Sequence, residues 1–212
     1  MNMGPMDAVD LLKKWFKQEN LSYKIQPDDR AEAHFLVKYP GGKQGHMFAI
    51  VVPKGRDLVA LSSMTRVDIG QQEEMESHIK DSIEDWKEWM HEMRLNLIKS
   101  GVDWGIHMGK KPGKESLQAF NVSLPIWFDG LTKNELMHTL RRLWLAKLTL
   151  IHEIKFSYGP GKGKPGPVDD WENKARKIQT KHTQVKPDVE THEIEVDETM
   201  SFGASFDPSE WA

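Results

Sequence analysis

Cysteine is absent from all 212 residues. That single absence excludes disulfides, thiolate nucleophiles, Cys-ligated zinc and iron–sulfur clusters. Long apolar runs are missing as well. The longest stretch free of charged residues, Ser116 to Phe128, spans 13 residues, too short for a bilayer. The beginning, Met1 to Pro5 and then Asp7, has no basic region and no apolar core, so no secretory signal is expected. Neither G-x-x-x-x-G-K-[ST], H-E-x-x-H nor G-x-S-x-G occurs, which removes the phosphate loop, the zincin helix and the nucleophile elbow. These absences predict a cytoplasmic protein with no membrane span, cofactor, metal or catalytic residue.

What is present is unevenly spread. Residues 1–158 hold 67 of the 81 apolar residues, and residues 159–212 hold 14. The first part carries 22 positive and 21 negative charges, the second seven and 11. About 158 residues can bury roughly two thirds of their unfolded surface, enough for a core without staples. The division predicts one α+β domain over residues 6–157 and a flexible linker and tail over 158–212. Within the tail, 159–187 is net +4 and 188–212 is net −8. Ordering each residue costs about 1–2 kcal/mol, which so few apolar side chains cannot offset.

Periodicity orders the elements. Asp7 can cap a helix over 7–19 with Val9, Leu12, Trp15 and Phe16 on one stripe, closed by Asn20. Strands follow at 21–25, 31–39, 46–52 and 58–64, separated by turn residues such as Pro27-Asp28-Asp29 and Gly55-Arg56-Asp57, a pattern that reads as an antiparallel meander. Met75, Ile79, Ile83, Trp86, Met90, Met93 and Leu97 make one apolar seam, predicting a single long helix over 71–99. Strands at 102–108 and 117–127 flank a basic loop, and Thr132 with Glu135 forms a capping box for a last helix over 133–156.

This order of helix, meander, long helix, two strands and final helix resembles the secretion-chaperone-like fold of type III secretion chaperones and YbjN-like proteins. The chain is also similar to a family of uncharacterised archaeal proteins. The resemblance covers about 7–156 and rests on element order. It implies a one-sheet α+β domain that dimerises and binds an extended segment of another protein without catalysis.

Candidate chemistry is sparse. His78 and His91 lie 13 residues apart on one predicted helix, roughly 20 Å, so they cannot share an ion. His182, His192, Glu193 and Glu195 in the tail lack ligand spacing. Lys110, Lys111 and Lys114 stand in the basic loop and are the candidate nucleic-acid contacts. The domain's charge of only +1 favours solvated lysines. Trp15, Trp86, Trp89, Trp104, Trp127 and Trp144 fall on predicted core faces. Trp86 and Trp89 place large rings on two sides of one helix, so one of them can meet a partner. Phe202, Phe206 and Trp211 stand among carboxylates in the tail, a composition that docks into basic, apolar grooves. The expected function is a non-enzymatic adaptor or chaperone-like module that binds another protein, or a second copy of itself. Its tail would recruit the partner or shield the domain. An RNA-associated factor using the basic loops is the alternative, and an enzyme whose site assembles only in three dimensions is the third reading.

Overall fold

A computed structural model describes residues 3–42 and 45–169. The elements run α1 (Pro5–Gln18), β1 (Tyr23–Ile25), β2 (Ala31–Tyr39), β3 (His46–Pro53), β4 (Leu58–Arg66), α2 (Ile69–Asp81), α3 (Ile83–Lys99), β5 (Asp103–Met108), β6 (Leu117–Trp127) and α4 (Lys133–Tyr158). The strands form one six-stranded antiparallel sheet in the order β1-β2-β3-β4-β6-β5. The chain is thus α+β, with the later hairpin joined to the meander through β6 and β4.

Two compact units share these elements. Among the described residues the first comprises 3–42, 45–64, 94–105 and 121–150, and the second comprises 65–93, 106–120 and 151–169. In the first, α1 starts at Pro5, and the Asp7 carboxylate reaches back to the Gly4 N–H at 3.0 Å. Asp7 serves the helix end from inside the first turn rather than as its cap. Asn20 stops the helix with φ of 51°, a conformation Asn tolerates better than most residues. Leu12 and Phe16 are fully buried with Phe35, Val37, Phe48 and Ile50. The Phe16 and Phe35 rings meet edge-on at 5.5 Å.

In the second unit Met75, Ile79, Trp86, Met90 and Met93 of the seam are buried as the spacing predicts, whereas Ile83, next to the break at Ser82, is 46% exposed. The helix carrying it is not continuous. Ser82 takes an extended conformation, φ −152° and ψ 101°, and separates α2 from α3. Its N–H still donates to His78 O at 2.9 Å, while its Oγ accepts from the Asp85 N–H at 3.3 Å. Ser82 therefore ends one helix and caps the next, with Glu84 and Asp85 in the new first turn.

The run Gly159 to Pro167, expected as a linker, lies in a defined place. Pro165 bridges Asp68 in antiparallel fashion, the Ile69 N–H donates to Lys164 O, and the Gly166 N–H donates to Val67 O, both at 2.9 Å. Residues 170–212, and with them Trp171 and the predicted contacts Phe202, Phe206 and Trp211, lie outside the described residues.

A candidate polypeptide-binding edge and cleft

β1 ends the sheet in the first unit. The Lys38 N–H donates to Ser22 O at 3.0 Å, and the Gln26 N–H donates to His34 O at 2.8 Å. Ser22 and Gln26 therefore face β2, and alternation turns Lys24 the same way. The N–H and C=O groups of Tyr23 and Ile25 point away from the sheet. β1 lies first in the strand order, with β2 as its neighbour, so these four groups form an open edge among the described residues. The Tyr23 ring is held against Phe16 at 5.2 Å and Phe35 at 5.5 Å. Ile25, two residues on and on the same face, has 61% of its surface exposed.

Beside this edge lies a cleft of about 250 Å³, lined among others by Met6, Val9, Lys13, Ile25, Asp28 and His34. Met6, 62% exposed, stands with Ile25 at an apolar rim. Asp28 Oδ1 accepts the Arg30 N–H at 3.0 Å, and Oδ2 lies 3.2 Å from His34 Nδ1. The Arg30 N–H, aided by His34, holds the Asp28 carboxyl below its ordinary range. His34 Nε2 is buried without a hydrogen-bond partner. A carboxylate–imidazole pair can activate a hydroxyl or thiol, but the cleft lining contains none. What the cleft offers is apolar surface, one cation, two carboxylates (Glu32 and the held Asp28) and an imidazole beside exposed main-chain groups.

A second feature of this unit is Lys147. Its ammonium-bearing end is buried, lies 3.0 Å from Ser63 Oγ and sits 5.8 Å from the centre of the Phe48 ring. Ser63 Oγ in turn donates to Met47 O at 2.8 Å. Burial lowers the Lys147 pKa to about 7.

The predicted contacts Trp86 and Trp89 fall in the second unit. Trp86 is only 4% exposed. It stacks on Trp89 with ring centres 5.2 Å apart, and Trp89 meets Tyr158 edge-on at 4.9 Å. Trp89 Nε1 donates to Glu153 and to Ser157, each at 3.1 Å. Burial and the Glu153 charge keep the Tyr158 hydroxyl protonated, so it can donate to His78 Nδ1 at 2.8 Å. Trp86 is a packing residue here, and Trp89 is half-buried with its polar end engaged. Trp127, expected on a core face, is 57% exposed in the first unit, because strand alternation sets it opposite the buried Ile126.

The basic loop is locally balanced. Lys114 Nζ lies 3.8 Å from Glu76, and the Lys110 N–H donates to the Asp169 carboxylate at 2.9 Å. Lys111 is exposed. These carboxylates weaken the loop as a phosphate-binding surface. Among the described residues no group of three or more His, Asp or Glu could hold a metal ion, and no helix is long and apolar enough to cross a membrane.

Fold and site define an α+β protein with an open sheet edge beside a small mixed cleft. The chain belongs to the family described as "Uncharacterized conserved protein (DUF2299)", whose model matches residues 8–154. It is also similar to an uncharacterized protein from Methanothermobacter thermautotrophicus known from a crystal structure. That match has a TM-score of 0.62 and 27% identity, and covers 72% of this chain and 99% of the other. No curated protein matches the chain.

Proposed function

We propose that this protein is a non-enzymatic, cytoplasmic adaptor or chaperone-like module that binds an extended segment of another protein along β1. The observation carrying this reading is the outward main chain of Tyr23 and Ile25 next to the apolar rim of the cleft. An added strand would pair with those N–H and C=O groups, and alternate side chains would enter the cleft. Such an edge is normally covered or charged in soluble proteins. β1 is short and carries Lys24, yet it leaves Ile25 exposed beside the cleft.

Residues 170–212 supply a second contact in this reading, through Phe202, Phe206 and Trp211 in the net −8 segment. They recruit the same partner rather than nucleic acid.

A photo-crosslinking side chain placed at position 25 of the full chain tests the proposal. The account expects crosslinks to map to one extended segment of a protein partner, and to disappear when Ile25→Pro is combined with a crosslinker at Tyr23. Proline removes the outward N–H while leaving the β1–β2 bonds intact. Crosslinks that scatter over unrelated proteins, or persist unchanged with proline, would overturn it.

A further inference from the structure

The segment that follows α4 is read in detail by the second unit. Asp68, 2% exposed, accepts the N–H groups of Lys162 and Lys164, each at 2.7 Å, while also capping α2 through the Gly70 N–H at 2.7 Å. Gln72 Nε2 donates to Pro167 O at 3.3 Å, and Gln71 Nε2 donates to Gly159 O at 2.7 Å. Gln118 Oε1 accepts the Asp169 N–H at 2.8 Å. With the two main-chain bonds at Ile69 and Val67, the backbone of 159–169 is engaged on both its donors and its acceptors. Lys162 Nζ pairs with Glu73.

The glycines explain why this segment and no ordinary one fits. A Cβ at Gly161 would collide with the Asp68 carboxylate, and one at Gly166 would collide with the Gln72 amide. Gly159, Gly161 and Gly163 also take positive φ, which favours glycine. Reading main-chain groups, demanding glycine at two close approaches and answering a lysine with a carboxylate is how an extended peptide is recognised. The docking residues Asp68, Gln71, Gln72, Glu73 and Gln118 lie within the family-matched part of the chain, whereas 159–169 lies beyond it. Gln71, fully buried, holds Gly159 O through its Nε2, and its Oε1 has no hydrogen-bond partner while the segment is docked.

We infer that residues 67–73 with Gln118 form a binding groove for an extended, glycine-containing, lysine-bearing polypeptide segment, occupied in cis by the chain's own residues 159–169. A trans ligand of that chemistry enters by displacing the cis segment. Its apparent affinity is therefore reduced by the fraction of chains whose groove is open. Glu73 and Glu74, whose charges act on Lys162, favour a basic ligand over an acidic one. This site belongs to the second unit and stands independently of the β1 edge.

The test uses the full chain and a labelled synthetic peptide of residues 158–169. Gly166→Val undocks the cis segment, and amide exchange around the buried Met75 and Ile79 of α2 and at Leu117–Phe120 of β6 reports whether the second unit stays folded. Gly161→Ala repeats the experiment with a smaller intrusion. Either variant is expected to bind the peptide about tenfold or more tightly than the wild type, as an opened groove requires. A peptide with valine at both glycine positions should bind neither variant. Equal binding to wild type and both variants, no binding to either folded variant, or equal binding of the valine peptide would each overturn the inference.

Discussion

Replacing Lys147 by Met tests how the first unit accommodates a buried amine. Its pKa falls from an ordinary 10.5 to about 7 through burial, so between these values the unfolded chain binds more protons than the folded one. Stability must then rise with pH across this window, by at most about 1.4 kcal/mol per pH unit for one group. From about pH 7, where half the folded molecules carry the charge, to about pH 9 the wild type should gain about 2 kcal/mol from Lys147 alone. At about pH 7 the same linkage costs the fold roughly 4 kcal/mol relative to a neutral side chain. Lys147→Met removes that cost and gives up the bond to Ser63, worth about 1 kcal/mol. Ser63 Oγ keeps Met47 O as its acceptor, so no hydroxyl is left stranded. The variant should be more stable than wild type by roughly 3 kcal/mol at about pH 7, with the difference shrinking as pH rises. Urea unfolding of both proteins across the window measures this directly. Parallel stability–pH curves, or a variant less stable at every pH, would refute the reasoning.

Other consequences are simpler. Phe35→Ala should cost about 3–5 kcal/mol in urea unfolding, since Phe35 is fully buried and packs against Phe16 and Tyr23. Ser82→Ala should cost about 1 kcal/mol through loss of the cap on α3, seen as a lower urea midpoint. Ile25→Asp should leave stability within about 0.5 kcal/mol, because the side chain is exposed, while abolishing crosslinking at the β1 edge. The Asp28 carboxyl is held below its ordinary pKa, so its stabilising effect is present above the unfolded value and lost as pH falls through the folded one. Asp28→Asn should flatten the acid limb of the stability curve, and an unchanged limb would count against the assigned pair with Arg30 and His34.

Much of the fold was legible because apolar spacing and turn chemistry agreed. β2 and β6 occupy the predicted spans, and α1, β3, β4, β5 and α4 differ only at their ends. Thr132 does cap α4, through the Glu135 N–H at 3.1 Å, but the Glu135 side chain lies by Thr139 Oγ1 at 3.3 Å instead of completing the box. The break at Ser82 was masked by an apolar seam that runs through it, although Ser82-Ile-Glu-Asp85 also carries a cap signal. Gly159 to Pro167 looked like a linker because local composition cannot show Asp68 and Gln72, more than 80 residues earlier. The β1 cleft was hidden for the same reason: Lys13, Asp28 and His34 meet only once α1, the turn and β2 are assembled. Trp86 and Trp89, expected on two sides of one helix, are turned by tertiary packing toward each other and Tyr158.

The central claim is that an extended polypeptide segment pairs with the outer side of β1. Amide hydrogen exchange at Tyr23 and Ile25, resolved by NMR with and without the segment captured by crosslinking, tests it most directly. The account predicts that both amides exchange about tenfold or more slowly in the complex, as outward N–H groups become ladder donors, while Lys24 changes little. Unchanged exchange at Tyr23 and Ile25 in a saturated complex, with protection appearing elsewhere, would contradict it.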